Sequence, residues 1–106
     1  MSQKILQVNF KFSVSKTEYV HACLPEAPNL AAFPGLRWKV WIMNEAEQQA
    51  GGIYLFDDET SLHSFVAVLT ELLNVPGNSD VRIKPFDILE ELTQITRGPI
   101  QRTAEV

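Results

Sequence analysis

Hydrophobic and polar residues alternate one by one in several stretches of the chain, which is the pattern of a β-strand with two different faces. Residues 5–14, ILQVNFKFSV, place an apolar set on one side and a semi-polar set on the other. The same period returns in residues 36–43, 53–56 and 81–86. The pattern therefore predicts four strands.

The third and fourth strands carry residues with a local meaning. Gly51 and Gly52 precede the run 53–56, and we interpret this pair as a bulge or a point of close approach between backbones. Pro85 has no amide donor, so we expect the last strand at an edge of the sheet. The segment Asn44–Ala50 between the second and third strands has few apolar anchors, and we expect a long, mobile loop there.

The first helix signal follows the first strand. Ser15-Lys16-Thr17-Glu18 has the spacing of a capping box, in which the serine and the glutamate satisfy each other's free amides. Pro25 and Pro28 each remove a donor, so we expect a kinked or broken helix up to about Phe33. Its predicted buried residues are Val20, Cys23, Leu24 and Ala27.

The second helix signal follows the third strand. Asp57 or Asp58 is the predicted N-cap, and Pro76-Gly77 ends the helix. Apolar residues recur at helical spacing and predict one buried stripe, formed by Leu62, Phe65, Val66, Leu69, Leu72 and Leu73. After the last strand, Leu89, Leu92 and Ile95 predict a short helical or extended segment.

These elements follow one another as β-α-β-β-α-β, the split βαβ arrangement. We predict an α+β fold, a ferredoxin-like sandwich with an antiparallel sheet, as a single domain over residues 1–97 with a frayed tail at 98–106. Two helices cover only one face of a four-stranded sheet, and the other face is half apolar. We expect a second copy of the chain to pack there, which would form a homodimer.

Composition narrows the range of partners. The net charge of −4 and the pI near 5.0 speak against nucleic acid and against an anionic membrane surface. We expect neither a signal peptide nor a membrane span, because no long apolar run is present. The single cysteine, Cys23, excludes an internal disulfide and suits a cytoplasmic protein.

Three blocks of sequence together resemble the YdhR family of mono-oxygenases: PGLRWKVW, AGGIYLFDDE, and PFDI followed by LTQIT. The resemblance covers nearly the whole chain. It implies a small dimeric α+β barrel with a ferredoxin-like fold. It also implies a mono-oxygenase activity, which we expect to be cofactor-independent and to act on a small phenol-like or hydroquinone-like compound.

Apart from this resemblance, the sequence contains few motifs that indicate a particular chemistry. The nucleotide and metal motifs GxGxxG, CxxC and HExxH and the P-loop are absent, so we expect neither a cofactor nor a metal. We interpret His63 as solvent-facing and His21 as part of a frayed helix start, in preference to a metal or haem ligand at either position. Cys23 is interpreted as a buried small side chain and the acidic run 57–59 as a helix cap.

Aromatic and semi-polar residues of the sheet remain as the candidate substrate-binding set: Asn9, Trp38, Lys39, Trp41 and Tyr54. Trp38 or Trp41 is the candidate wall, Tyr54 and Asn9 are candidate donors, and Lys39 is a candidate stabilising cation. Trp38 continues the row of Leu36, so we predict it in the helix-packed core or in a pocket cut into that core. The alternative is a homodimeric binding protein, without catalysis, for a small apolar ligand.

Overall fold

A computed structural model describes residues 2–100 of the chain. In chain order its elements are β1 (Lys4–Lys11), α1 (Lys16–Cys23), α2 (Ala27–Ala31), β2 (Leu36–Asn44), β3 (Gln49–Phe56), α3 (Glu59–Leu73), β4 (Ser79–Asp87) and α4 (Glu90–Ile95).

The four strands form one antiparallel sheet in the order β2-β3-β1-β4. The predicted α+β class is confirmed, and the architecture is compatible with a ferredoxin-like fold. Pro85 lies on β4, which is an edge strand as predicted. Its partner on β1 is Leu6, and an edge strand tolerates a residue that donates no ladder hydrogen bond.

The core lies between one face of the sheet and the helices. Alternate residues of β1 and β3 point into it, and Leu62, Phe65 and Leu69 of α3 fill it from the other side. Asp58 is the N-cap of α3, and its Oδ1 accepts a hydrogen bond from the Ser61 amide at 2.8 Å. The predicted stripe of α3 is therefore buried along its middle, whereas Leu72 at its end is half exposed.

The capping box of α1 is confirmed. The Ser15 side chain accepts from the Glu18 amide, and the Glu18 carboxylate accepts from the Ser15 amide. The chain is broken between α1 and α2, as the prolines predict. The predicted burial is wrong for Val20 and Leu24, which are 44% and 63% exposed, because the short α1 turns Tyr19 towards the core instead.

The hairpin between β2 and β3 is tighter than predicted. Strand β2 continues to Asn44 and β3 begins at Gln49, so four residues make the connection. Gln48 adopts a positive φ of 53°, and its carbonyl oxygen accepts a hydrogen bond from the Phe12 amide at 3.0 Å. Ala50, predicted in the loop, is a buried core residue of β3.

A β-bulge at the start of β2 changes the side on which its tryptophans lie. Leu36 pairs with Phe56 and Trp38 with Leu55, so Arg37 is one residue more than β3 can match. Leu36 packs against the core, and beyond the bulge the alternation is reversed. The prediction that Trp38 shares the core side with Leu36 is therefore wrong: Trp38 lies on the face opposite the helices.

We call this face, turned away from α1 and α3, the second face of the sheet. The C-terminal segment 88–100 crosses one end of it, and Trp38 Nε1 donates a hydrogen bond to the Pro99 carbonyl at 2.7 Å. Leu55 points to this face and is only 1% exposed, so we infer that the segment covers it. Residues 101–106 of the predicted tail lie outside the described residues.

The outer side of the C-terminal segment is apolar. Leu89, Leu92 and Ile95, which predicted a short helical or extended segment, flank or belong to α4 and are each more than 60% exposed. Within residues 2–100, no helix combines the length and the apolar character that a membrane span requires.

Candidate functional site

The Lys39 side chain lies against the rings of Trp41 and Tyr54. It pairs across strands with Tyr54, on the side of the sheet that faces the helices. Its Nζ lies 3.2 Å from the centroid of the Trp41 ring and 4.7 Å from that of Tyr54. Such placement over two ring faces is a cation–π arrangement. Lys39 takes part in none of the ion pairs found within residues 2–100.

Gly52 makes room for this arrangement. It pairs across strands with Trp41, and it lies on the same face of the sheet as Lys39. A Cβ added at Gly52 would lie 2.6 Å from Lys39 Cε and 3.1 Å from the nearest atom of the Tyr54 ring. The lysine stem therefore occupies the space that any larger residue at position 52 would need, and this holds the ammonium between the two rings.

Burial changes the protonation chemistry of both partners. It lowers the pKa of Lys39 to about 8, and the charge of Cys23 offsets part of this shift. Burial also raises the pKa of Tyr54 above its ordinary value, with the charge of Cys23 adding to the effect. Tyr54 consequently stays a neutral phenol in the physiological range, while Lys39 can exist there as ammonium or as amine.

A small pocket opens beside the lysine at the β2 edge, and we call it the Lys39 pocket. Its volume is about 260 Å³. Aliphatic and aromatic side chains of α2 and β2 form most of its wall, which consists of Ala27, Leu30, Ala31, Leu36, Arg37, Trp38, Lys39 and Trp41. Arg37 forms an ion pair with Asp57 at 2.6 Å, so the cation of the pocket that has no carboxylate partner is Lys39.

A larger cavity lies on the second face, between the sheet and the C-terminal segment, and we call it the C-terminal cavity. Its volume is about 590 Å³. Mainly apolar side chains line it, among them Ile5, Trp38, Ile53, Phe86 and Leu92. Gln7 and Asp87 are the polar side chains that the sheet contributes, and the Asp87 carboxylate forms an ion pair with Lys4. It offers volume and apolar surface rather than catalytic groups.

The five residues predicted from the sequence divide between the two faces. Lys39, Trp41 and Tyr54 come together on the helix side. Asn9 and Trp38 lie on the second face, where the Asn9 Oδ1 accepts a hydrogen bond from Gln7 Nε2 at 3.1 Å. The predicted set is therefore one cluster of three residues, with Asn9 apart from it and Trp38 bordering the Lys39 pocket from the second face.

Cys23 and Gly52 also adjoin this cluster, although no sequence pattern assigned them to it. Cys23, read as a buried side chain, is only half-buried and lines a groove of about 190 Å³ that Trp41 also borders. No sequence signal connects a cysteine on α1 with a lysine on β2, since only the packing of the helix brings them together. Gly52 had a signal, because a glycine within a strand often marks a close approach.

The histidines and the acidic residues have structural surroundings. His63 Nε2 lies 3.2 Å from Glu59 Oε2 one turn earlier on α3, and both side chains are exposed. His21 is exposed as well. In the part of the chain that the structure describes, no group of three or more His, Cys, Asp or Glu residues is arranged to hold a metal ion.

Comparison with known proteins gives one finding. The model of the family described as "Putative mono-oxygenase ydhR" matches residues 5–99, whereas no curated protein matches the chain. The match includes every helix, strands β2 to β4 and all of β1 except its first residue, and with them the lysine cluster and nearly all of the C-terminal segment. The chain therefore belongs to the ydhR family, and its general function is that of a mono-oxygenase-like protein.

Proposed function

We propose that the protein is a cofactor-independent mono-oxygenase for small phenol-like or hydroquinone-like compounds, and that the Lys39 pocket is its substrate site. The observation that carries this proposal is the Lys39 ammonium without a carboxylate partner. It borders an apolar pocket and lies against Trp41. A cation in such surroundings attracts an anion more strongly than a cation in water does.

The chemistry requires little else from the protein. A phenol that loses its proton becomes an electron-rich phenolate, which can reduce dioxygen directly. One oxygen atom is inserted at a ring C–H bond and the other is released as water, which converts the phenol to a quinone. Lys39 stabilises the phenolate and thereby lowers the pKa of the bound phenol. Trp41 and Leu36 supply apolar walls that keep bulk water from the reacting carbon.

The size of the pocket suits a small substrate. Its 260 Å³ lie just below the range of about 300–1,000 Å³ that is typical of ligand pockets. Tyr54 is buried and does not line this pocket, so its part is to hold the Lys39 ammonium from the neighbouring strand. Asn9 has no part in this site, because it lies on the second face.

A homodimer belongs to the same proposal. The part of the second face that the C-terminal segment leaves uncovered includes Val40, which is 52% exposed. The outer side of α4 adds three more exposed apolar residues. An apolar surface of this kind is typical of an interface between subunits. A cytoplasmic location also stays a prediction, based on the single cysteine.

A second candidate function is binding without catalysis, and the C-terminal cavity is the observation that favours it. At about 590 Å³ it is larger than the Lys39 pocket, and the side chains that line it are mainly apolar. An apolar ligand would fit there beneath the segment that Trp38 holds through Pro99.

Oxygen consumption tests the first candidate. We expect the wild-type protein, stripped of metal, to consume oxygen and form quinone with one of a panel of naphthols and hydroquinones. Lys39→Met should reduce the rate by about 100-fold, the scale of one lost charge-stabilising group. Lys84→Met, which removes an exposed lysine of β4, is the matched control and should keep full activity.

Tryptophan fluorescence separates the two candidates. Trp38→Phe leaves Trp41 as the reporter of the Lys39 cluster, and Trp41→Phe leaves Trp38, which borders both cavities. Quenching of Trp41 by phenols supports the oxygenase site. Quenching of Trp38 alone, with no oxygen consumed by any compound, would instead favour the binding protein.

A further inference from the structure

The placement of Lys39 permits chemistry other than charge stabilisation. An ordinary surface lysine is fully hydrated and protonated, and it is a poor nucleophile for both reasons. Lys39 is half-buried against two aromatic rings and has no ion pair within residues 2–100. It also borders a pocket with apolar walls. Lysines that act as nucleophiles are typically desolvated in this manner.

We propose that Lys39 is a nucleophilic lysine that condenses with small apolar aldehydes or ketones in the Lys39 pocket to form an imine. The site that binds the carbonyl compound consists of Leu30, Leu36 and Trp41 as walls and Lys39 as the reacting group. Gly52 completes it by leaving the lysine stem the space it occupies. The ligand class is a small carbonyl compound without a charge.

The reaction balances without an oxidant or a reductant. The Nζ lone pair attacks the carbonyl carbon, and a carbon–nitrogen bond forms as one proton passes from the nitrogen to the carbonyl oxygen. The resulting carbinolamine then loses its hydroxyl group together with the second proton of the nitrogen as water, and a carbon–nitrogen double bond remains. One amine and one carbonyl compound thus give one imine and one water. An apolar pocket favours the condensation, because the product water leaves to bulk solvent.

The groups around Lys39 are compatible with a reactive amine. Cys23 faces it from α1 and Tyr54 faces it from β3, where burial raises the pKa of Tyr54 and keeps its phenol neutral. Burial lowers the pKa of Lys39 to about 8, so about one tenth of the side chains are neutral at pH 7. Arg37, the other cation of the pocket, pairs with Asp57.

This inference goes beyond the mono-oxygenase function and does not depend on it. The oxygenase uses the charged form of Lys39 and consumes oxygen. Imine formation uses the neutral form and needs no oxygen. The two can therefore fail separately, and an anaerobic experiment examines imine formation alone.

The test is anaerobic reductive trapping with butanal. Wild-type protein is incubated with butanal and sodium cyanoborohydride at about pH 7, and peptide mass mapping measures the butyl group on each lysine. We expect modification of Lys39 to exceed that of Lys84 by about 10-fold or more, because butanal binds in the apolar pocket beside Lys39, whereas Lys84 is exposed. The rate at Lys39 should level off above about pH 8.

Two variants complete the experiment. Lys39→Met should lose the selective label while Lys84 keeps its background modification. Gly52→Ala retains the lysine but displaces it, and the preference for position 39 should fall towards that of an exposed lysine. Equal modification of Lys39 and Lys84 in the wild-type protein, or a rate at Lys39 that keeps rising well above pH 8, would overturn the proposal.

Discussion

At the scale of single residues, Lys39 combines a role in the site with a cost to stability. In the unfolded chain its pKa is 10.5, and in the folded protein it is about 8. Between these two values the unfolded state binds more protons than the folded state, so the free energy of unfolding rises with pH across this window. Below about pH 8 the folded protein carries the full cost of burying the charge.

Replacing Lys39 with methionine should remove that dependence. Near pH 7 we expect Lys39→Met to be more stable than the wild type by about 1–2 kcal/mol, a value reduced for the solvent that still reaches the side chain. The wild type should recover this difference as the pH rises to about 9.5. Urea unfolding of both proteins at several pH values measures it, with Lys84→Met as the control. Parallel pH curves for wild type and Lys39→Met would contradict the prediction.

Gly51 and Gly52 are neighbours with different requirements. A Cβ at Gly51 would lie 1.8 Å from the Val8 carbonyl oxygen, which is backbone and cannot move without breaking the β1–β3 pairing. At Gly52 the obstacle is the flexible end of the Lys39 side chain and the Tyr54 ring. We expect Gly51→Ala not to fold. Gly52→Ala should fold with a loss of about 1–3 kcal/mol. Circular dichroism and thermal unfolding distinguish them, and equal losses would contradict the distinction.

At the scale of elements, the two-residue period predicted the four strands, and the spacing of Leu62, Phe65 and Leu69 predicted the buried side of α3. These features are local, so a sequence carries them directly. The bulge at Arg37 has no such signature. It exists because Leu36 packs against the core while Trp38 reaches Pro99 on the other face, and both contacts are made by residues distant in sequence.

The same reason explains the candidate site. Lys39, Trp41 and Tyr54 were recognised from their chemistry, and the cross-strand pairing brings them together as a strand pair should. Asn9 was grouped with them on its chemistry alone, and Trp38 was placed on the core side because nothing in the sequence shows the bulge that separates it from Leu36. Cys23 was missed because its position depends on how α1 lies against the sheet.

The hairpin between β2 and β3 offers a prediction at this scale. Gln48 has a φ of 53°, a conformation that costs a residue with a side chain about 1 kcal/mol and glycine almost nothing. We expect Gln48→Gly to raise the free energy of unfolding by about 0.5–1 kcal/mol. Glu47→Gly, one residue earlier at an ordinary φ, should lower it by a similar amount. Chemical denaturation of both variants measures the pair, and a loss in both would mean that the turn is not strained.

At the scale of the whole molecule, the two faces of the sheet have different coverings. Helices α1 and α3 cover the first face completely over β1 and β3. The C-terminal segment covers one end of the second face and leaves Val40 exposed at 52%. The apolar surface that a partner would cover on the second face is therefore smaller than predicted. The proposal of a homodimer depends on the uncovered part of that face and on the outer side of α4.

A charge on the uncovered part of the second face tests the homodimer. We expect the wild type to scatter light as a dimer of the 12.0 kDa chain at micromolar concentration. Val40→Lys should shift it to the monomer with its strands intact, because a buried lysine without a partner disfavours the interface. Val68→Lys alters a residue of similar exposure on α3 and should leave the dimer unchanged. A wild-type monomer, or a Val40→Lys dimer, would contradict the prediction.

The bulge at Arg37 also has a consequence for how this fold can change during evolution. A single-codon deletion at position 37 would restore the regular alternation of β2 in one mutational step. Leu36 would still pair with Phe56 and Trp38 with Leu55, so both residues would keep their faces and both pockets their contents. Deletion of Val40 would instead put Lys39 and Trp41 on opposite faces of the sheet, so position 37 is the place where β2 can lose a residue without separating them.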